Sequence, residues 1–266
     1  MSHPARPTEL RVKEERNKVT PEEEFRRDCQ KEIRAQGEDE SLRDLSYSWL
    51  ERSATAKYSY HFEWMGRPII QYPQDMIAVQ EILWRVQPEL VIETGIAHGG
   101  SLVFSASMLE LIAISGGPSG QVLAVDIDIR AHNRKRIEEH PMARRISMIE
   151  GSSTAPEVVS RIQEAARGKR SVLVLLDSDH THDHVLAELE AYAPLVTVES
   201  YCVVFDTAVE LMPADHSSTR RWGKGNNPRT AVRDYLNHHQ EFEIDKELED
   251  KLLITVAPGG FLRRIR

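Results

Sequence analysis

The chain has 266 residues, enough for one large α/β domain or two small ones and enough to bury a sizeable core. Its 34 basic and 42 acidic side chains leave a net charge of −8, which excludes a nucleic-acid binder that relies on bulk positive charge. No apolar run approaches the ~18 residues that span a bilayer, the opening MSHPARPTEL lacks the apolar stretch of a signal peptide, and Cys29 and Cys202 make neither a disulfide framework nor a zinc set, so a cytoplasmic protein is expected.

In chain order, residues 1–44 hold 10 basic and 12 acidic side chains and read as a charged, partly helical extension ahead of a body spanning 45–266. Residues 1–19 are expected to be mobile. Thr20-Pro21-Glu22-Glu23 predicts a helix start, with Thr20 as cap, Pro21 in the first turn and Glu23 closing a capping box. Phe25, Cys29 and Ile33 follow at four-residue spacing, a narrow stripe that calls for a partner surface on the body or on another subunit; Ala35-Gln36-Gly37 reads as the break. Residues 45–75 carry Tyr47, Trp49, Tyr58, Tyr60, Phe62, Trp64 and Tyr72, an aromatic segment expected to pack and to form part of a pocket wall or lid. Gln71-Tyr72-Pro73-Gln74-Asp75 opens a helix with Met76, Val79, Ile82 and Leu83 on one face.

From residue 89 short apolar runs alternate with helical stretches. The runs are 90–92, 122–125, 146–149, 172–176 and 201–205, separated by amphipathic segments such as Val185, Leu186, Leu189 and Tyr192. This predicts an α/β fold with a parallel sheet covered on both faces. Near the end, Leu252–Val256, Pro258-Gly259-Gly260 and Phe261-Leu262 read as a hairpin that adds an antiparallel pair to the sheet's edge.

Ligands of such sheets sit at the carboxyl ends of the strands. After the first run comes Glu93-Thr94-Gly95-Ile96-Ala97-His98-Gly99-Gly100-Ser101, whose glycines permit close backbone approach and whose helix start offers free N–H groups. After the second comes Asp126, a carboxylate able to accept both hydroxyls of a ribose. After the third come Ser152 and Ser153, small and suited to an adenine edge. Asp177-Ser178-Asp179-His180 follows the fourth and Asp206-Thr207 the fifth. The turn is Glu-x-Gly-x-x-x-Gly-Gly, neither the Gly-x-Gly-x-x-Gly that seats a pyrophosphate nor a P-loop. A phosphate-free, cationic cofactor, S-adenosylmethionine, fits such a turn followed by a strand-ending acid.

The segments RPIIQYPQDM, VIETGIAHGGSLVFSASML, LLDSDHTH and WGKGNNPRTAV closely resemble the family known as cephalosporin hydroxylase, which includes rhamnosyl and macrolide-sugar O-methyltransferases. The resemblance spans roughly residues 60–264. It implies a Rossmann-like class I methyltransferase, a mostly parallel seven-stranded sheet with a C-terminal antiparallel hairpin, acting on a small-molecule hydroxyl acceptor as a homo-oligomer. It implies Asp177 as a magnesium ligand, His180 as general base, whose ordinary pKa near neutrality suits the task, and Asp206 as a second magnesium ligand. Where family members carry Glu-Asp, this chain carries Phe205-Asp206; Asp179, Thr207 and Glu210 are the nearest residues able to make up the missing ligand, together with water.

Two further features bear on chemistry. His180-Thr181-His182-Asp183-His184 is one residue short of a His-x-His-x-Asp-His motif and supports an alternative reading, a metal-dependent oxygenase or hydrolase built on the 177–184 cluster. The stretch 208–228 is expected to be a substrate loop. Trp222 is placed in it to stack on a sugar face, and Arg221 and Lys224 to meet an anionic acceptor.

Overall fold

The computed structural model describes residues 19–213 and 219–266; the expected mobility of residues 1–18 and part of the expected substrate loop lie outside these. The first two helices are α1, Pro21–Glu38, and α2, Glu40–Thr55. The capping box forms as expected, Thr20 Oγ1 accepting from the Glu23 N–H and Glu23 from the Thr20 N–H. The helix does not break at Ala35-Gln36-Gly37. It continues to Glu38, because Gly37 lies against Asp250, where a Cβ would come within 2.2 Å of Cγ, and Asp39 then caps α2 through the Leu42 N–H. Helix α2 thus runs across residue 45.

A short antiparallel pair follows, β1, Phe62–Trp64, and β2, Arg67–Ile69. Helix α3, Pro73–Val86, starts at its proline and buries Ala78, Val79, Ile82 and Leu83. The body then alternates: β3, Leu90–Thr94; α4, Gly100–Ile114; β4, Gln121–Asp126; α5, Ala131–Glu138; β5, Ile146–Glu150; α6, Pro156–Ala166; β6, Val172–Leu176; α7, His182–Tyr192; β7, Tyr201–Val204; α8, Pro228–His238; β8, Phe242–Ile244; α9, Lys246–Leu252; and β9, Phe261–Arg264. These strands form the expected seven-stranded sheet, in the order β5-β4-β3-β6-β7-β9-β8, parallel from β5 through β7. β9 runs antiparallel to both β7 and β8.

The period-2 rule divides each strand between two cores. Val91, Val122, Ala124, Leu173, Leu175 and Val203 face α3, α4 and α5. Leu90, Ile92, Leu123, Val172, Val174 and Val204 face α6, α7 and α8. A third, smaller cluster joins Leu50 and Tyr72 to Ala208 and Met212, which seats the aromatic segment over the carboxyl end of β7.

The terminal hairpin requires a correction. The partner of β9 is Phe242–Ile244, not Leu252–Val256. Asp245 caps α9 by accepting from the Leu248 N–H, so Leu252 ends a helix, and the β-branched residues after it run through irregular backbone to the Pro258 turn.

Candidate active site

The strand ends converge on an open cleft of about 350 Å³. Its floor is set by the close approach of β3 and β6. Gly95 has φ +89°, and a Cβ there would lie 1.9 Å from the Asp177 carbonyl oxygen, so only glycine lets the two strand ends meet. The Asp177 N–H donates to the Thr94 carbonyl at 2.9 Å, which locks the same junction. Gly99, at φ +79°, caps α4, and Gly100 allows the Pro68 carbonyl of β2 to cross, a Cβ there falling 2.2 Å from it. These three glycines and Ser101 all line the cleft.

Asp126 lines the cleft from the end of β4. Its Oδ2 accepts from the Ile96 N–H at 2.8 Å and its Oδ1 from the Asp128 N–H at 3.1 Å. The carboxylate is therefore fixed beside the glycine turn. Glu93 takes a different position from the other turn residues. It lies behind the cleft wall, buried, accepts a hydrogen bond from Ser101 Oγ, and burial pushes its carboxyl up to about 7. Ser152 and Ser153 are not among the residues lining the cleft. Ser152 Oγ pairs with Thr154 at 3.1 Å, while Ser153 is buried against His184, Oγ to Nε2 3.1 Å.

Asp177 lines the cleft, and His180 and Asp206, which are not among its lining residues, lie against it; the three each offer one ligand atom, all within 4.8 Å of one another, the one such group among the described residues. His180 Nε2 lies 3.1 Å from Asp206 Oδ2, and Gln71 Nε2 donates to Asp177 Oδ2 at 3.3 Å. Removal from water holds the Asp177 carboxyl well above the usual carboxylate range, and the neighbouring carboxylates of Asp206, Glu93, Glu188 and Asp75 push it the same way. A pocket of oxygen donors with this concentration of negative charge fits a divalent cation. Asp206 adopts a left-handed conformation, φ 55°, directly after the buried Phe205.

The three residues considered as replacement ligands are engaged elsewhere. Asp179 pairs with Arg221 at 2.5 Å and accepts from the Thr181 N–H. Thr207 donates to the Pro258 carbonyl and is buried. Glu210 accepts from the Gly225 N–H at 2.8 Å and from Asn227 Nδ2, which pins the loop 219–227. That loop brings Trp222 edge-on to His180, ring centroids 4.9 Å apart, and Trp222 lines the cleft. Arg220 lies over the Trp222 ring at 5.0 Å, Arg221 is taken up by Asp179, and Lys224 is exposed.

The histidine-rich stretch divides rather than converges. His180 precedes α7. His182 Nδ1 meets Thr230 Oγ1 at 2.9 Å. His184 Nε2 faces Ser153, Ser178 and the fully buried Glu188, which raises its pKa. The oxygenase or hydrolase alternative needs several of these imidazoles on one ion, and only His180 is near the acidic pair.

Comparison with known proteins identifies the family and the fold. The sequence profile described as rhamnosyl O-methyltransferase/CmcI matches residues 56–265. The chain belongs to the rhamnosyl O-methyltransferase/CmcI family. A rhamnosyl O-methyltransferase of Mycobacterium tuberculosis is 35% identical over 208 residues, 76% of this chain and 77% of the relative. The Mycobacterium leprae protein of the same name is 36% identical over 207 residues, 76% of this chain and 82% of the relative. A solved structure of CmcI with Mg and SAM superposes with a TM-score of 0.53 at 17% identity over 78% of each chain, which shows the class I methyltransferase fold. The rhamnosyl O-methyltransferase/CmcI family is one of S-adenosylmethionine-dependent methyltransferases, and this chain is an O-methyltransferase. Among the described residues no helix is long and apolar enough to cross a membrane.

Proposed function

We propose that this chain methylates a hydroxyl of a sugar or sugar-bearing natural product, using S-adenosylmethionine and a magnesium ion held by Asp177 and Asp206, with His180 as the base. The observation that carries this reading is the convergence of two carboxylates and one imidazole around Asp177, which lines a cleft floored by the glycine turn. The curated relatives named above supply the sugar class.

When bound, the cofactor supplies an electrophilic methyl group and the metal lowers the pKa of the hydroxyl it touches. The protein's part is positional. Asp126 offers its carboxylate to the ribose hydroxyls, and Gly95 through Gly100 keep side chains out of the cleft floor. Asp177 and Asp206 hold the cation beside the acceptor. The His180 imidazole would take the proton that the acceptor hydroxyl releases on methylation. Trp222, set against His180, walls the acceptor side and excludes water; Arg221, held by Asp179, and the exposed Lys224 stand on the same loop and are proposed to meet an anionic acceptor. The N-terminal helices are proposed as an extension that serves a homo-oligomer, consistent with Phe25 being 69% exposed on α1; sedimentation of the full chain tests this.

The direct test is transfer of a labelled methyl group from S-adenosylmethionine to a panel of rhamnosides and other glycosides, with calorimetric binding of the cofactor in parallel. Saturable cofactor binding, loss of transfer in EDTA and recovery with magnesium are expected, and Asp177→Ala should do more damage than Asp206→Ala. Absence of cofactor binding, with a tightly held transition metal instead, would sink the reading.

A further inference from the structure

A second, much smaller recess of about 20 Å³ lies behind the cleft floor, between β3, α4, β6 and the segment after β2. That is room for one water molecule, which needs about 10–15 Å³ and two to four polar partners. Most of its wall is apolar, Ile69, Leu175 and Phe205 among it. Three polar atoms on its lining residues find no partner in the protein: Gln71 Oε1, Glu93 Oε2 and Ser105 Oγ. Their residues are 8%, 2% and 1% exposed, so bulk water does not reach them. Native proteins rarely leave such groups unpaired, because each then bears its full desolvation cost.

The three chemistries are complementary to a single water. Gln71 Oε1 only accepts, Ser105 Oγ–H can donate, and a carboxyl oxygen can accept. We infer that the recess is a binding site for one ordered water that donates to Gln71 Oε1 and Glu93 Oε2 and accepts from Ser105 Oγ, and that Gln71 is thereby a positioning residue for Asp177. The amide of Gln71 has two ends. With Oε1 turned to the water, Nε2 is aimed at Asp177 Oδ2, 3.3 Å away. The reverse orientation sets a carbonyl against a carboxylate. At the far side Glu93 accepts from Ser101, which lines the cleft. A continuous hydrogen-bonded line therefore runs from Ser101 through Glu93, the water and Gln71 to Asp177. It ties the glycine turn to the acidic corner without passing through either ligand.

The second half of this inference rests on the proposed metal role of Asp177; the first does not, and the two are tested separately. A crystal structure of the full chain at about 1.5 Å resolution should show one density peak within hydrogen-bonding distance of Gln71 Oε1, Glu93 Oε2 and Ser105 Oγ. A recess without density, or Glu93 paired directly with Gln71 or Ser105, overturns the water site, whether or not the protein binds magnesium. For positioning, Ser105→Val fills the recess and removes the hydroxyl, while Ser105 itself is not among the residues lining the cleft. The substitution should weaken magnesium binding about tenfold, the scale typical of groups that orient a metal ligand, with S-adenosylmethionine binding within twofold and a lowered thermal midpoint, because Gln71 Oε1 and Glu93 Oε2 lose their shared partner. Gln71→Leu should lose as much, and the double variant no more than either alone. Where valine disturbs folding, Ser105→Ala serves, with a smaller loss in the same direction. Unchanged magnesium affinity in the Ser105 variants, or losses that simply add, overturns the positioning role.

Discussion

At the scale of the residue, His180 is held by its surroundings rather than by a helix. It sits before α7, faces Asp206 at 3.1 Å and carries Trp222 against its ring. His180→Ala should lower methyl transfer by about 10²–10⁴, the usual cost of losing a general base, and leave calorimetric binding of S-adenosylmethionine intact; a variant within tenfold of the parent assigns the proton to another group. His182→Ala should stay within a few-fold, since its contacts are with Thr230 and Asp234 on α8. His184→Ala should instead act on stability. It removes a partner of Glu188, which is fully buried, and a buried group left under-paired costs about 1–3 kcal/mol. The thermal midpoint should fall while turnover at low temperature survives. Asp126→Ala removes the acceptor of the Ile96 N–H and the proposed acceptor of the ribose hydroxyls, so affinity for S-adenosylmethionine should drop tenfold or more at roughly 1.5–3 kcal/mol per charged hydrogen bond; unchanged calorimetric binding would overturn the proposed ribose contact. The positions of Asp177, His180 and Asp206 were readable because each follows an apolar run that reads as a strand, and their expected roles came from the family resemblance. Gln71, Glu188 and the buried placement of Ser153 were not. A buried polar side chain is chosen by the partner that packing delivers, and no local pattern encodes that partner.

At the scale of the element, the site depends on two junctions. The first is the contact of β3 with β6 at Gly95. Gly95→Ala places a methyl group 1.9 Å from the Asp177 carbonyl in a backbone conformation that disfavours it, so the strand ends must part. Cofactor and magnesium affinity should fall together, and a variant that loses only one of them would separate the two halves of the cleft. The second is the loop that presents Trp222, pinned by Glu210 at Gly225 and Asn227. Glu210→Ala should raise the acceptor KM several-fold and spare cofactor binding. Asp75, in the first turn of α3, accepts from Thr255 and from the Val256 N–H. Burial pushes its carboxyl up to about 7, above an unfolded value near 3.9. The native state thus holds a proton that the unfolded chain has lost, and this stabilisation is complete below about pH 4 and disappears as pH rises through about 7. Glu93, raised to about 7 as well, adds in the same direction. Urea midpoints at pH 5 and pH 8 should differ less in Asp75→Asn than in the parent. The alternation of strands and helices was legible from the apolar runs, each of which fills a two-sided slot. The terminal pairing was not, because Phe242–Ile244 is three residues long and carries too little pattern. Leu252–Val256 has the composition of a strand, but Asp245 starts a helix that runs into it.

At the scale of the whole molecule, the first third of the chain is fastened to the last. Gln36 on α1 donates to the carbonyls of Asp250 and Lys251 at 2.6 and 3.1 Å, Lys251 pairs with Glu81 on α3 at 2.5 Å, and Asp75 reaches Thr255 and Val256. The narrow apolar stripe on α1 indicated that it needed a surface; that the surface would include α9 depends on a contact between residues more than 200 positions apart, which composition cannot reveal. Gly37→Val should lift α1 off Asp250, given the 2.2 Å approach there, and limited proteolysis should then cut between α1 and α2 before the body; resistance equal to the parent's would mean that the helix docks without this contact. The tie between Asp75 and residues 255–256 has a consequence for how amide protons exchange with solvent. Segments joined this way open as one cooperative unit even though the chain separates them widely. In Asp75→Ala, deuterium should enter 73–86 and 254–258 at jointly increased rates, with exchange in β4, an interior strand on the other side of the sheet, unchanged.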